Sequence, residues 1–249
     1  MTVRINKLLA DLGLSSRRGA DLLISAGKVK INDRKAKLGE KVDLAKDKLV
    51  VNGELINQEL LQGTMGGENY EYWLLNKPLA VISAVSDPAN RRTVMHFLKN
   101  KTQARLYPVG RLDYDSEGLL LMTNNGELTY RLTHPKYGVE KEYLVDALGI
   151  FTQSKIIRLE KGVLLAGKIA KAEQVELLNK EDRNLELKFI LHEGRKREVR
   201  RLCARVGWEV QRLVRVRLGN LELGSLQPGT VRKLTETEIT ELKRSVKLA

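Results

Sequence analysis

The sequence contains a single cysteine, Cys203, so no disulfide can form within the chain. Its three histidines, His96, His134 and His192, are widely scattered, and no cysteine–histidine cluster has the spacing of a zinc site. Residues 1–25 contain basic residues but no continuous apolar stretch, which argues against a signal peptide or a membrane span. These absences indicate a reducing compartment, and we expect a cytoplasmic location, no membrane association and no bound metal.

Negative charge is in short supply, because 44 lysines and arginines face 31 acidic residues, for a formal net charge of +13. Much of the excess lies within residues 195–217, where the acids are Glu198 and Glu209 and the basic residues are Arg195, Lys196, Arg197, Arg200, Arg201, Arg205, Arg212, Arg215 and Arg217. Arginine is suited to forked phosphate contacts and to stacking on bases. We therefore expect a nucleic-acid partner.

The first 56 residues have the pattern of a small module of two helices and a short sheet. Apolar residues at Ile5, Leu8, Leu9 and Leu12 follow helical spacing, which Gly13 can end. A second helix is expected to begin after Ser15 and Ser16 and to end at Gly27, and strands are expected at 28–33 and 49–51.

Residues 57–69, rich in Gln and Gly, are predicted to form a linker, and the composition changes from Tyr70 onward. Beyond it we predict strands at 73–75, 139–148, 175–178 and 185–191, short helices after Thr93 and Thr152, a helix from Gly194 to Val206, and a capping box of Thr235 with Glu238 before a final helix. The Lys77-Pro78 pair is interpreted as the turn that ends the first of these strands. This mixture indicates an α+β protein with a mixed sheet.

The segment at residues 110–118, which reads GRLDYDSEG, places an acid at the edge of an apolar strand. Arg111 and Asp113 share one face if this segment is extended. Two other interpretations stay open. Asp113 could be a turn residue that bonds its own backbone. The acids also resemble the start of a calcium loop, although the twelfth position holds Asn124 rather than the glutamate that such a loop requires.

Three stretches resemble, in order, the motifs of the pseudouridine synthases: GRLD at 110–113, KEYLV at 141–145 and EGRKREVRR at 193–201. In that family the aspartate of the first motif is the obligatory catalytic residue. The tyrosine of the second stacks against the target base, and the basic residue of the third pairs with the aspartate. The resemblance implies these catalytic roles for Asp113, Tyr143 and Arg200.

The N-terminal module is similar to the S4 RNA-binding domain over about residues 2–50, with LSSRR at 14–18 opening its second helix. The combination resembles the RsuA/RluB branch of the synthases, which modifies ribosomal RNA and carries an S4 domain. The implied architecture is α+β: an S4-like α/β RNA-binding module at 1–56, a linker at 57–69, and a catalytic domain at 70–249 with a mixed, largely antiparallel sheet and flanking helices.

The resemblance implies isomerisation of a specific uridine in ribosomal RNA, without a cofactor. The form of the third motif favours 23S over 16S ribosomal RNA, and we expect a monomer that acts on free RNA or on an assembly intermediate. From the charge pattern and the resemblance together, the residues expected to contact RNA are Arg17, Arg18, Arg111, Lys141, Arg195, Arg197 and Arg201.

Two other functions are compatible with parts of the sequence. A non-catalytic RNA-binding or ribosome-assembly factor would need only the S4-like module and the basic segment, although an acid such as Asp113 would then oppose RNA binding. A metal-dependent phosphoesterase could use Asp113 and Asp115, but it would need further converging ligands. The isomerase is the favoured hypothesis.

Overall fold

The computed structural model describes residues 2–56 and 70–248, so the predicted linker at 57–69 lies outside the described residues. By internal contacts the chain divides into two compact units. The first comprises Met1–Glu71 together with Asn124–Gly126, and the second comprises Tyr72–Thr123 together with Glu127–Ala249. No helix in the described ranges is long and apolar enough to cross a membrane.

Within its described residues 2–56, the first unit contains two helices and short antiparallel strands, in the order β1 Thr2–Arg4, α1 Ile5–Asp11, α2 Arg17–Ser25, β2 Val29–Ile31, β3 Arg34–Lys35, β4 Lys41–Asp43, β5 Leu49–Val51 and β6 Glu54–Leu55. The strands form a pair, β1 with β4, and a four-stranded sheet in the order β3-β2-β5-β6. The predicted helices and strands are confirmed, and the apolar positions of α1 are buried against Val29, Ile31 and Leu49.

Helix α2 begins where the sequence predicted, because the hydroxyl of Ser16 accepts a hydrogen bond from the Gly19 amide at 2.9 Å. This bond satisfies one of the amide groups that the first turn of a helix leaves without a partner. The helix ends before Gly27, whose φ of +68° is a left-handed conformation that favours glycine.

The second unit is built on a large sheet with helices around it. Its strands are β7 Tyr72–Lys77, β8 Tyr107–Pro108, β9 Glu117–Thr123, β10 Lys141–Leu148, β11 Val163–Leu165, β12 Lys168–Ala170, β13 Gln174–Glu181, β14 Asn184–Leu191, β15 Glu209–Leu218, β16 Leu221–Glu222 and β17 Val231–Lys233. Its helices are α3 Gly126–Thr133, α4 Gln153–Lys161, α5 Glu198–Arg205 and α6 Glu236–Ser245, with 3₁₀ turns at Val94–Leu98 and Pro135–Tyr137.

The nine-stranded sheet runs in the order β13-β14-β10-β15-β9-β7-β17, with β16 beside β15 and β8 beside β9. Strands β9 and β15 pair in parallel, while the other pairings along this path are antiparallel. Strand β9 is buried from Gly118 to Thr123, as expected for a central strand covered on both faces. The sheet is therefore mixed and largely antiparallel, and the α+β class is confirmed.

Helix boundaries depart from the sequence predictions at two places. The helix predicted from Gly194 begins only at Glu198, because Arg197 adopts a left-handed φ of +53° and the Arg195 amide donates to the Glu198 carboxylate at 2.9 Å. Helix α3 was not predicted from the sequence. Its moderately spaced apolar residues, Leu128 and Leu132, are both buried. The capping box of Thr235 with Glu238 is confirmed.

Candidate active site

Asp113 lies in a tight turn between β8 and β9. The Ser116 amide donates to the Asp113 carbonyl at 3.1 Å, which closes the turn. On the other side, the Ser83 hydroxyl donates to the Leu112 carbonyl at 2.8 Å and accepts from the Leu112 amide at 3.2 Å. Hydrogen bonds therefore hold the backbone on both sides of Asp113. They fix the position from which the Asp113 side chain extends.

Lys77, at the end of β7, supports this turn from beneath. Its side chain is fully buried, and its ammonium donates to the carbonyl oxygens of Ser116 at 2.7 Å and Pro78 at 2.9 Å. Burial lowers the pKa of Lys77 to about 8, and nearby acids oppose this shift. This supporting role was not predicted from the sequence. The signal in the sequence was a lysine two residues after the apolar run at 73–75.

Asp113 and Tyr143 line the same cleft, which has a volume of about 60 Å³. Other lining residues are Arg111, Leu112, Ser116, Leu191, Glu193, Gly194, Arg195, Arg197, Glu198, Val199 and Leu213. Residues of all three motifs that resemble those of the pseudouridine synthases thus line this cleft. Among the described residues, no side chain forms an ion pair or hydrogen bond with the Asp113 carboxylate, which is only partly buried.

Tyr143 is held in this cleft by its place in the sheet. On β10 it lies between Phe189 of β14 and Arg215 of β15, and a register shift on the β15 side directly precedes it. Lys141, Tyr143 and Val145 share one face of the strand, as predicted, and Tyr143 packs against the apolar cores on both sides. The phenol ring is therefore half-buried and rigidly placed.

Arg200 does not pair with Asp113, contrary to the role that the resemblance implied. Its guanidinium donates to the Asp115 carbonyl at 2.5 Å and to the Val210 carbonyl at 2.9 Å, and its Nε lies 3.3 Å from Asp115 Oδ2. The cause is the turn: it directs the side chain of Asp113 into the cleft and brings Asp115 to α5. Arg200 thus fixes the turn that carries the aspartate.

Arg197 reinforces the same link. Its two terminal nitrogens each donate to one oxygen of Asp115, both at 2.9 Å, which is the forked geometry that arginine forms with carboxylates. The Arg197 hydrogen bonds, aided by the charge of Arg200, hold the pKa of Asp115 below its usual value. The Arg197 charge is therefore largely committed to the protein itself.

Lys141 does not fit its expected RNA contact. It is buried at 8% exposure, and its ammonium donates to the carbonyl oxygens of Val139 at 2.6 Å and His192 at 2.9 Å. Burial, with the charge of Arg215, lowers its pKa to about 8. Because Lys141 lies on the inward face of β10, it joins two chain segments inside the protein, and the expectation of an RNA contact is corrected.

The other expected RNA contacts differ in how free their charges are. Arg195 is paired with Glu193 at 2.5 Å, whereas Arg111 is exposed at the cleft and Arg201 is half-exposed on α5. In the first unit, Arg17 and Arg18 are exposed in the first turn of α2. Their RNA contacts stay predictions.

The calcium-loop interpretation does not agree with the fold. The second half of the required twelve-residue span lies in β9, whose residues 119–123 pair with β7 as an extended strand rather than a loop. Within residues 2–56 and 70–248, no three His, Cys, Asp or Glu side chains converge in a way that could hold a metal ion.

Comparison with known proteins gives consistent matches over both parts of the chain. The model of the RNA pseudouridylate synthase family matches residues 71–205, and that of the S4 domain matches residues 3–49. The ribosomal large subunit pseudouridine synthase B of Bacillus subtilis (strain 168) is 42% identical over 215 residues, covering 85% of this chain and 84% of that protein.

Two further relatives cover nearly the whole chain. An uncharacterized RNA pseudouridine synthase of Aquifex aeolicus (strain VF5) is 37% identical over 250 residues, covering 100% of this chain and 96% of that protein. A crystal structure of a pseudouridylate synthase matches with a TM-score of 0.65 at 30% identity, covering 96% of this chain and 99% of that one. The chain therefore belongs to the RNA pseudouridylate synthase family and carries an S4 domain at its N-terminal end.

Proposed function

We propose that the protein converts a specific uridine of ribosomal RNA to pseudouridine, and that the RNA is that of the large subunit, 23S. The relatives named as large-subunit synthases support the choice of RNA. The observation that carries the proposal is the pairing of an uncommitted carboxylate, Asp113, with a half-buried aromatic ring, Tyr143, in one cleft. A protein that only binds RNA has no use for such a carboxylate.

The reaction is an isomerisation, so every atom of the substrate is retained. The glycosidic bond between N1 and C1′ breaks, the uracil turns, and a bond forms between C5 and C1′. The proton on C5 is released, and N1 gains one. Asp113 acts either as the nucleophile at C1′ or as the base at C2′, and both roles require an ionised carboxylate. No external reductant, oxidant or group donor is needed, and we propose no cofactor.

Tyr143 provides the surface for the loosened base. Uracil detached from its sugar must stay close enough to rejoin through C5, and an aromatic face holds it by stacking. Because Tyr143 is fixed between two strands, its ring can restrict the base without moving. The target uridine must leave its own stack to reach this ring, which costs a few kcal/mol and is easiest in unpaired RNA.

The charged residues divide into two groups with different tasks. Arg197 and Arg200, through Asp115, and Lys77, through Ser116, hold the turn of Asp113 and act as positioning residues. Exposed arginines such as Arg111 at the cleft and Arg17 and Arg18 in the S4 domain would contact phosphates. We propose that the module at 1–56 contributes affinity and that residues 70–249 carry out the chemistry.

Substrate access suggests where the enzyme acts. A uridine leaves its stack most easily before the ribosome packs around it, so we propose free 23S RNA or an assembly intermediate as substrate, in the cytoplasm. We also propose that the protein acts as a monomer.

The test uses purified protein with unmodified 23S and 16S transcripts, and pseudouridine is mapped along each RNA. We expect one modified region in 23S with wild type and none with Asp113→Asn, which keeps the shape of the side chain. Asp182→Asn is the matched control, because Asp182 lies in the β13–β14 turn at a φ of +51° that asparagine tolerates. Binding to 23S without any pseudouridine in the wild-type reaction would instead favour the RNA-binding factor.

A further inference from the structure

An exposed cluster of aromatic and basic side chains lies at the end of α3. The rings of Tyr130, His134 and Tyr137 have centroids 5.0 to 6.4 Å apart. The Lys136 ammonium lies 5.3 Å from the Tyr130 centroid and 4.7 Å from that of Tyr137. Tyr130 is 43% exposed, and the side chains of His134 and Lys136 also face solvent.

The cluster contrasts with the rest of the chain. Phenylalanine, tryptophan and tyrosine together make up only 5% of the sequence, seven of these residues are tyrosines, and the sequence has three histidines. Exposed rings do not contribute to a core, and lysine beside a tyrosine ring gives only a modest cation–π energy at an exposed position. The concentration of three rings and an ammonium on one surface therefore calls for a partner with both aromatic faces and negative charge.

Close approaches on two sides place this cluster beside the cleft of Asp113. A β-carbon built on Gly110, which directly precedes the lining residue Arg111, would lie 3.6 Å from Thr133 Cγ2 at the end of α3. On the other side, the carbonyl oxygen of Gly138, next to Tyr137, accepts a hydrogen bond from His192 Nδ1 at 2.7 Å. His192 directly precedes Glu193, another residue of the cleft wall.

Lys141 strengthens the second of these links. Its buried ammonium joins the Val139 carbonyl, just beyond the cluster, to the His192 carbonyl, just before the cleft wall. A residue expected to touch RNA thus has a different task, which is to tie the segment after the cluster to the segment that forms the cleft.

We propose that Tyr130, His134 and Lys136 form a platform for a nucleotide that flanks the target uridine in single-stranded RNA. A base stacks on the exposed ring of Tyr130, the His134 ring, tilted by 53° to that of Tyr130, borders the same base, and the Lys136 ammonium contacts its phosphate. Half-buried Tyr137 packs nearly perpendicular to the two other rings. Stacking accepts any base, so the platform holds the strand after the uridine has turned into the cleft, without reading its sequence. This inference rests on the proposed function for the identity of the RNA.

The RNA assignment rests on charge and shape. The net charge of the chain is +13, which favours polyanions, and stacking on tyrosine with a cation alongside is the usual mode of single-strand binding. The neighbouring Arg131 is already held by Glu127 and by the Val246 carbonyl, so Lys136 is the cation of this cluster that can turn toward a phosphate.

The first experiment measures binding of a fluorescent ten-nucleotide oligouridylate and of an abasic RNA with the same backbone. Tyr130→Leu removes the ring but keeps an apolar side chain, and we expect it to weaken binding of the oligouridylate about tenfold and that of the abasic RNA hardly at all. Tyr130→Phe keeps the ring and should bind like wild type. Equal losses for both RNAs, or no loss for either, would overturn the platform.

Salt dependence separates the ring from the charge. Lys136→Gln should reduce the slope of log binding constant against log salt by about 0.7, because one phosphate contact is lost. Tyr130→Leu should leave this slope unchanged, since stacking releases no counterion. Lys168→Gln, at an exposed lysine of the β11–β12 hairpin, is the matched control and should change neither slope nor affinity. A Lys136→Gln slope equal to that of wild type contradicts the phosphate contact.

A second variant covers the case in which Tyr130→Leu fails to fold. In the structure, the Lys136 amide donates to His134 Nδ1 at 3.2 Å. His134→Asn removes the ring but keeps a side-chain acceptor for this amide. On the 23S transcript, either ring variant should raise KM with kcat unchanged at saturating RNA. If wild type makes no pseudouridine in that transcript, the proposed function fails, while the oligonucleotide measurements still decide on the platform. If a ring variant bound RNA like wild type but no longer bound another protein, the platform proposal would be overturned.

Discussion

Because Arg200 pairs with Asp115 rather than with Asp113, a double-mutant cycle should measure a coupling free energy between Arg200 and Asp115. Asp115→Asn removes one charge but leaves the Asp115 carbonyl that Arg200 also contacts, and Arg200→Gln removes the other charge. The two side chains are 43% and 13% exposed. Exposed pairs stabilise by about 0.2–1 kcal/mol, and breaking buried pairs costs about 3–5 kcal/mol. We therefore expect a coupling free energy of about 1–2 kcal/mol for this intermediate pair.

The comparison cycle replaces Asp115→Asn by Asp113→Asn. Since Asp113 has no ion pair within the described residues, its coupling to Arg200 should be below about 0.5 kcal/mol. Urea unfolding followed by tryptophan fluorescence measures both cycles, because the two tryptophans of the sequence, Trp73 and Trp208, are buried in the second unit. Equal coupling of Asp113 and Asp115 to Arg200 would refute the assignment.

The pH dependence gives the same cycle a second readout. Because Arg197 and Arg200 lower the pKa of Asp115 in the folded state, the stabilisation is complete above the unfolded pKa, about 3.9. It is lost as the pH falls through the lower folded value, where the carboxyl becomes protonated. The Asp115–Arg200 coupling should therefore be unchanged from pH 7 to pH 5 and decline below about pH 4. A coupling that vanished by pH 6 would point to another group.

Three further changes test other parts of the structure. Gly118→Ala should destabilise the second unit by about 3 kcal/mol in urea unfolding, because the new β-carbon would lie 2.2 Å from the Arg215 carbonyl oxygen at a φ of +105°. Cys203, fully buried and with its pKa raised by burial to about 12, should react with a thiol reagent at pH 8 only after unfolding. Replacing Arg17 and Arg18 together by alanine should raise KM for the 23S transcript and reduce the salt slope of binding by about one to two units, with little change in kcat.

The parts of the fold that the sequence predicted are those governed by local rules. The spacing of Leu8 and Leu9 in α1, the cap at Ser16 and the capping box at Thr235 act within a few residues of the chain, and each is present in the structure. The apolar run of β9 and the alternation of β10 are similarly local. Sequence patterns of this kind specify the element without reference to the rest of the protein.

The site was predicted less completely, because its contacts join residues far apart in sequence. The motifs correctly brought Asp113 and Tyr143 to one cleft. They did not reveal that the turn aims Asp115 at Arg200, or that Lys141 points inward to carbonyl groups 2 and 51 residues away. Charge alone gave both lysine and arginine a surface role. Lys141 is buried instead. The sequence does not show whether a long side chain with an apolar stem is buried or exposed.

The parallel pairing of β9 with β15 has a consequence for how the enzyme comes into being during translation. The Arg215 side chain reaches the Leu119 carbonyl across 96 residues of sequence, so the edge that carries the Asp113 turn is completed only when β15 has been made. A contact of such long range forms late, because the entropy cost of closing a large loop comes before the contact can stabilise the structure. A nascent chain whose S4 domain has just emerged from the ribosome would already bind RNA. Its catalytic turn, however, would not be assembled until synthesis is nearly finished.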